Sequence, residues 1–284
     1  MPKQTIALIN PAEVSLEYNQ IKIVQEEQTY LRPIEDVRCL LVDHHSVHLT
    51  VPLLNKLTES NVAVVFCNER HVPTSMLLDL ESNGMQSKYI RGQLTCQEPL
   101  KKRIWKQIVE RKILNQSLLL EKLNIGVGLL KPYYVNVKAG DTSNREGIAA
   151  KVYWKKLFGK DFIRDRIGEV PNNFLNYGYT LLRSFMSRAI MDAGLLPIVG
   201  VFHRNYYNSF PLADDLMEPY RPFVDEKAFE LHSARKVEIN KLVKQAFLQL
   251  LYDRVTYDEL LSTARTLAGI YVGEGKMLYY PKFE

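Results

Sequence analysis

Cysteine is scarce in this chain of 284 residues, and its placement excludes two classes at once. Cys39, Cys67 and Cys96 are odd in number, widely spaced and free of any Cys-x-x-Cys pair, so neither a disulfide framework nor a cysteine-rich zinc site is expected. A reducing cytoplasm is the compartment that fits. Long apolar runs are missing too. No stretch approaches the roughly eighteen apolar residues of a membrane span, and the run before Asn10 and Pro11 is too short for a signal peptide, so a soluble, unexported protein is expected. A phosphate-binding glycine loop is also lacking: "NIGVGLLK" holds Gly126 and Gly128 but no third glycine in register and no Gly-Lys-Ser/Thr. There is no convincing Ser-His-Asp or Cys-His nucleophile arrangement, no internal repeat and no low-complexity tract.

What is present is an ordinary apolar content of 46%, enough for a real core, and a net charge of +5 that is unevenly spread. Residues 88–112 hold Lys88, Arg91, Lys101, Lys102, Arg103, Lys106, Arg111 and Lys112 against only Glu98 and Glu110, so this segment carries +6 and the rest of the chain nets −1. A concentrated positive segment suits a phosphate backbone, because each neutralised phosphate releases counterions. The plain alternative is a solvated helix face.

Periodicity divides the chain. In the first ninety residues Val14, Leu16 and Tyr18 alternate, Ile21 and Ile23 alternate after "NQ", and "VRCLLV" and "NVAVVFC" are short β-branched runs. "TVPLLNKLTESN" interrupts them with helical spacing of Val51, Leu54 and Leu57. From residue 98 the period is helical, with Ile104, Trp105, Ile108 and Val109 opposite Lys102, Arg103 and Lys106. Further helices are expected over 114–124, 144–158, 172–193, 213–219, 225–252 and 256–270, with Gly159 and Gly194 as helix-ending glycines. The expected fold class is α+β: a β-rich domain over 1–90, a linker over 91–97 and a helical catalytic domain over 98–284.

Three stretches have chemical potential. In "NREGIAAKVYWKKLFG" Glu146 shares a helix face with Ala149, Ala150 and Tyr153, small neighbours that leave room for an ion or phosphate; the alternative is a first-turn acid favoured by the helix dipole. In "PNNFLNYGYTLLRSFMSRAIMDAG" the residues Asn173, Asn176, Tyr177, Thr180, Ser184 and Arg188 form a polar, nearly uncharged stripe, which implies burial with hydrogen-bond partners. In "VFHRNYYNSFPLADDLMEPYRP" an apolar run delivers His203 to a loop, and a short helix, halted by Pro219 and Pro222, projects Asp215 and Glu218 together while Asp214 points elsewhere. Two carboxylates and an imidazole suit Mg²⁺ or Mn²⁺ in phosphoryl transfer; such groups also serve as loop histidines and helix caps. "DHHSVH" (Asp43, His44, His45, His48) reads as strand, with its imidazoles on two faces, and is left structural.

Taken together, the glutamate of "NREGIAAKVYW", the helix "NNFLNYGYTLL", the histidine of "GVFH" and the helix "LADDLMEPYRP" resemble the CRISPR-associated adaptation integrase, the Cas-one family, in its order and spacing. The ending "DLMEPYRPFVD" is similar to the form found in type II systems. The resemblance implies that Glu146, His203 and Glu218 are the catalytic, metal-binding residues, holding Mg²⁺ or Mn²⁺. Asp215 matches an acid position often counted with the site, touching the ion or orienting the loop. Asn173, Asn176 and Tyr177 match an Asn/Tyr motif taken as support around the site. Implied too are a prokaryotic cytoplasmic setting, a homodimer, and a heterohexamer with the small Cas-two subunit. The activity implied is insertion of captured DNA into the CRISPR array, with a 3′-hydroxyl attacking a phosphodiester at the repeat boundary. Double-stranded DNA, as prespacer and repeat, is the substrate; the type II effector nuclease and an end-binding accessory protein are further candidate partners. Lys88, Arg91, Lys101, Lys102, Arg103 and Lys106 are the expected duplex track, from charge alone. Two rivals stand beside this reading: a non-catalytic DNA-binding scaffold, and an Mg²⁺-dependent isoprenoid diphosphate enzyme using "DDLME", for which no second acidic motif is found.

Overall fold

The computed structural model describes residues 4–69, 73–77, 83–203 and 205–283. Contacts divide the chain into two units, residues 1–81 and 82–284. The strand-to-helix division therefore lies ahead of the expected linker at 91–97. The reason is that α2 (Gln86–Leu94) is a helix of the second unit: Gln93, 1% exposed, donates to the carbonyls of Leu196 and Val199 and accepts from the Leu196 amide. Among the described residues no helix is long and apolar enough to cross a membrane.

The first unit is built from the expected alternating runs. β1 (Gln4–Leu8), β5 (Val37–Val42) and β7 (Ala63–Cys67) lie parallel, with β8 (Pro73–Leu77) antiparallel at the edge. A second sheet orders β4 (Gln28–Pro33), β3 (Gln20–Gln25), β2 (Ala12–Glu17) and β6 (Val47–Leu49). Glu17 pairs with Gln20, leaving Tyr18 and Asn19 as a two-residue loop with φ of 47° and 63°, the type I′ geometry whose twist matches the strands it joins. Helix α1 (Val51–Glu59) buries Leu53 and Leu57 against Val14, Ile21, Leu40 and Val64. Val51, expected on that face, is 66% exposed, because it starts the helix and Leu53 takes the inward position.

The second unit is helical and centred on α3 (Glu98–Lys122). This helix covers the two pieces expected near 98 and at 114–124, since no glycine or proline follows Pro99 within it. It packs against α4 (Lys131–Tyr134), the turn at Ala139–Asp141, α5 (Arg145–Leu157) and the Glu218–Tyr220 turn. Ile104, Trp105, Ile108 and Val109 are buried as their spacing predicts, and Lys102 and Arg103 are exposed. α6 (Asn172–Asp192) is almost wholly buried, and Gly178 lets the helices that carry Val224 and Phe247 close on it: a Cβ there would stand 2.5 Å from Val224 Cγ1 and 2.7 Å from Phe247 Cε1.

The last third departs from expectation at two places. α7 (Pro211–Leu216) is followed by the turn Glu218–Tyr220 and then α8 (Arg221–Ser233), so Pro219 and Pro222 begin new helical segments instead of halting one. Proline at a first helical position sacrifices no hydrogen bond. The single helix expected over 225–252 is broken after Ser233, where Arg235 takes a left-handed φ of 55° and the Asn240 side chain caps α9 (Lys241–Asp253). α10 (Tyr257–Tyr271) follows with a Thr256–Glu259 capping box.

Candidate active site

The site forms where α3, α5 and the Glu218–Tyr220 turn meet. Glu146 is in the first turn of α5, whose open amides are well served: the Asp141 carboxylate accepts from the amides of Arg145 (2.8 Å) and Glu146 (3.0 Å), and Asn144 accepts from Gly147. Its own carboxylate is thereby released from capping and faces Lys112 of α3, with Nζ 2.6 Å from Oε1. The same ammonium lies 2.6 Å from Glu218 Oε2, and Arg221 reaches the other Glu218 oxygen at 2.9 Å. Asn115, one turn beyond Lys112, donates to the Pro219 carbonyl at 2.7 Å and fixes the turn that carries Glu218.

Lys112 and Glu218 are buried, Glu146 and Arg221 are half-buried, and the four charges hold one another. Burial opposes the Lys112 charge, but Glu218 and Glu146 outweigh it and raise its pKa. Burial would also raise the Glu218 carboxyl, yet Arg221 and Lys112 bring it below the usual carboxylate range. Both shifts describe a compact cluster that exists in its ionised form.

His203 is positioned by a different carboxylate. Asp215, fully buried, accepts from the amides of Val201 (2.7 Å) and Phe202 (2.9 Å) through Oδ2, while Oδ1 lies 2.5 Å from His203 Nδ1. Asp215 therefore clasps the loop and the imidazole together, which leaves Nε2 as the nitrogen available to a ligand. The hydrogen bond to Asp215 raises the His203 pKa against the effect of burial, and burial raises that of Asp215 against the pull of His203 and the two amides. Trp105 of α3 stacks flat on Phe202 at 4.2 Å and meets the His203 ring edge-on. Asp214 points elsewhere, as expected, pairing with Arg183 at 2.7 Å and accepting from Asn208. The "DDLME" acids are thus committed to separate partners, unlike acids converging on one diphosphate.

Beside His203 opens a cavity of about 670 Å³ lined by Arg164, Arg166, Arg183, Arg221 and Asn176. Its wall is organised by Tyr179, whose ring lies under the guanidinium groups of Arg221 (4.8 Å) and Arg164 (5.2 Å) and whose hydroxyl donates to Asp225. Tyr153 also donates to Asp225, at 2.7 Å, and burial pushes that carboxyl up to about 6 despite both hydroxyls.

The expected support residues separate. Asn176 lines the cavity and holds Arg164 at 2.7 Å. Asn173 instead donates to the Val237 carbonyl, and Tyr177 is core, packed on Phe247; helical rotation carries both away from the cavity. Along the same helix Thr180 and Ser184 satisfy their hydroxyls on carbonyls four residues back, and Arg188 pairs with Asp192. Among the basic candidates, Lys88 pairs with Glu274 and Lys106 with Glu110, while Lys102, Arg103 and Arg91 are exposed. Lys112, counted in the basic segment, belongs to the site. Its signal was in the sequence: with Trp105, Ile108 and Leu119 it falls on the apolar face of α3, where a lysine needs an anionic partner. Arg221, three residues after Glu218, and the cavity arginines Arg164, Arg166 and Arg183 were likewise not singled out. His44 and His45 stack on each other ahead of β6, and His48 faces Glu13.

Two carboxylates and an imidazole are the right donors for a hard divalent ion, and the Lys112 ammonium marks the point where positive charge is held between the carboxylates. As they stand, no three Asp, Glu, His or Cys side chains among the described residues are grouped closely enough to surround an ion.

Known proteins share the sequence pattern and the fold of this chain. The family described as CRISPR associated protein Cas1 matches residues 7–253. A CRISPR-associated endonuclease Cas1 from Neisseria meningitidis serogroup C is 33% identical over 91% of this chain and 86% of its own length. One from Saccharolobus solfataricus is 29% identical over 87% and 74% respectively. Among solved structures, a casposase bound to integration product shares the fold at a TM-score of 0.80 and 21% identity, covering 98% of this chain and 92% of the casposase. A Cas1 protein from Thermotoga maritima does so at 0.73 and 18%, covering 98% and 100%. The chain belongs to the Cas1 family of CRISPR-associated proteins.

Proposed function

We propose that this protein is a metal-dependent DNA integrase of CRISPR adaptation, joining the 3′-hydroxyl of a captured DNA to a phosphodiester at the repeat boundary. The observation that carries the reading is the pairing of Glu146 and Glu218 across Lys112, with His203 held by Asp215 at the edge of an arginine-lined cavity. The chemistry is an exchange of one phosphodiester for another: the incoming 3′-oxygen forms a bond to phosphorus and the strand's own 3′-oxygen leaves with the electron pair. The DNA brings its nucleophile, which accords with a sequence that shows no convincing Ser-His-Asp or Cys-His arrangement. What the protein must supply is position and charge.

Arg164, Arg166, Arg183 and Arg221 are the groups that would take backbone phosphates in the cavity, where planar guanidinium donors match phosphate oxygens. Asp215 keeps the His203 ring turned for use, and Glu146, Glu218 and His203 would hold Mg²⁺ or Mn²⁺. Such an ion, when bound, neutralises charge on the reacting phosphate. The exposed basic turns of α2 and α3 offer the duplex a further track. A homodimer bridged by the small Cas2 subunit is the assembly proposed; structural neighbours of the same fold come from complexes named as containing Cas1 and Cas2.

A strand-transfer assay tests this: a short duplex with free 3′-hydroxyls, a supercoiled plasmid bearing a repeat, the Cas2 subunit, and Mn²⁺ or Mg²⁺ against EDTA. Joined product is expected with the wild type and metal, and none with Glu146→Ala, His203→Ala or Glu218→Ala while DNA binding persists. Wild-type joining in any of these variants removes that residue from the site. A non-catalytic scaffold is the second reading, favoured by the closure of the two carboxylates on Lys112; confirmed DNA and Cas2 binding without joining would select it.

A further inference from the structure

Lys112 stands where the divalent ion of the proposed chemistry is expected. It projects from the buried face of α3 with its side chain 10% exposed, and its ammonium touches one oxygen of Glu146 and one of Glu218, each at 2.6 Å. An ammonium has three donors and no acceptor, so it satisfies two carboxylates at once but can never share their lone pairs with a second cation. Charge leads to the same result. Glu146 and Glu218 carry two negative charges, and Lys112 with Arg221 already balances them. A divalent ion added beside the ammonium would leave the cluster strongly positive at van der Waals separation in a buried place. Arg221 grips the far oxygen of Glu218, outside the gap, and has no need to move; Lys112 fills the gap on a flexible four-carbon stem.

We propose that Lys112 is a resident counter-cation: it holds Glu146 and Glu218 together before metal arrives, and the ion enters by displacing it. This inference rests on the metal-binding reading above. It gives metal loading the form of an exchange of one cation for another, in which the measured affinity is the intrinsic one reduced by the fraction of molecules with Lys112 out of the gap. It also accounts for two acids of like charge facing each other across one ammonium, an arrangement that would otherwise push them apart or protonate one.

The test uses the full chain without nucleic acid and Mn²⁺ as the probe, with calorimetric titration and thermal unfolding of wild type and Lys112→Met. Metal-free Lys112→Met is expected to unfold below the wild type, because its carboxylates lose their shared partner, and to bind Mn²⁺ about tenfold more tightly or better, since no internal cation competes. Saturating Mn²⁺ should then raise the variant's unfolding temperature by more than it raises the wild type's. A second measurement needs no variant: reductive methylation of the wild type, read at Lys112 by mass spectrometry, should be slow without metal and faster with saturating Mn²⁺. Equal or weaker Mn²⁺ affinity in a folded Lys112→Met, or Lys112 labelling indifferent to Mn²⁺ while the wild type binds it, overturns the exchange and leaves the metal site standing. Failure of both proteins to bind Mn²⁺ overturns the metal reading and the exchange with it.

Discussion

Asp215 offers a clean separation of two jobs. Its Oδ2 accepts from the amides of Val201 and Phe202, and its Oδ1 engages His203 Nδ1. Asp215→Ala orphans the backbone donors of Val201, Phe202 and, at a longer 3.3 Å, His203. At about 1.5–3 kcal/mol for each hydrogen bond to a charged acceptor, less what is regained by no longer burying a carboxylate, the expected loss is roughly 2–4 kcal/mol. In a helical unit of this size that is a fall of roughly 5–15 °C in unfolding temperature. Asp215→Asn differs in kind. With its amide oxygen in the place of Oδ2 it keeps the bonds from the Val201 and Phe202 amides, and its NH₂ group then faces the imidazole. Nδ1 must accept instead of donate, the ring proton moves to Nε2, and the nitrogen available to a ligand loses its lone pair. The Asn variant should therefore melt within a few degrees of the wild type yet fail in strand transfer, whereas the Ala variant should lose both. Calorimetry and the joining assay on the same preparations decide the matter. An Asn variant that joins DNA at the wild-type rate, or an Ala variant destabilised by less than about 1 kcal/mol, would refute the clasp.

Two further expectations concern the ground on which the site rests. Asp225 is a carboxyl whose folded pKa, near 6, exceeds its ordinary 3.8. The folded state thus holds the proton more tightly than the unfolded chain, so stability falls as pH rises between these values, by about 3 kcal/mol, and levels off above pH ~6. Asp225→Asn should flatten that part of a urea-denaturation profile; an unchanged slope would assign the pH dependence elsewhere. Gly178→Ala places a methyl 2.5 Å from Val224 Cγ1 and should cost about 1–3 kcal/mol, with part recovered by adding Phe247→Leu, measured by equilibrium unfolding.

The parts of this fold that were legible in the sequence are those where one period runs without competition. The alternation of Val14, Leu16, Ile21 and Ile23 marked the strands β2 and β3, and the spacing of Ile104, Trp105, Ile108 and Val109 marked the buried face of α3. Errors cluster where a local signal has two meanings. Pro219 and Pro222 were read as stops because proline ends helices, although it starts them equally well. In "SARKVEIN" only Asn240, the cap of α9, marks the break, and the turn at Arg235 is closed locally by the amides of Arg235 and Lys236 on the carbonyls of His232 and Leu231. At the site, Glu146, His203 and Glu218 were visible as residues, but their partners were not: Lys112 and Arg221 lie 34 and 75 positions from Glu146, and only the fold shows that one lysine joins both acids. Asn173 and Tyr177 shared a stripe with Asn176, and a stripe wide enough to hold all three reaches more than one neighbour.

The continuity of α3 has a mechanical consequence. At 1.5 Å per residue its length is about 37 Å, and between Leu100 and Lys122 it contains neither glycine nor proline to act as a joint. Its outer turns bear Lys102 and Arg103, its middle carries Trp105 against Phe202 and Lys112 against the two acids, and Asn115 holds the Pro219 carbonyl. A rod of this stiffness tilts or shifts as one piece. A displacement at its Lys102 end is therefore carried to the backbone of Lys112, whose side chain joins the two acids.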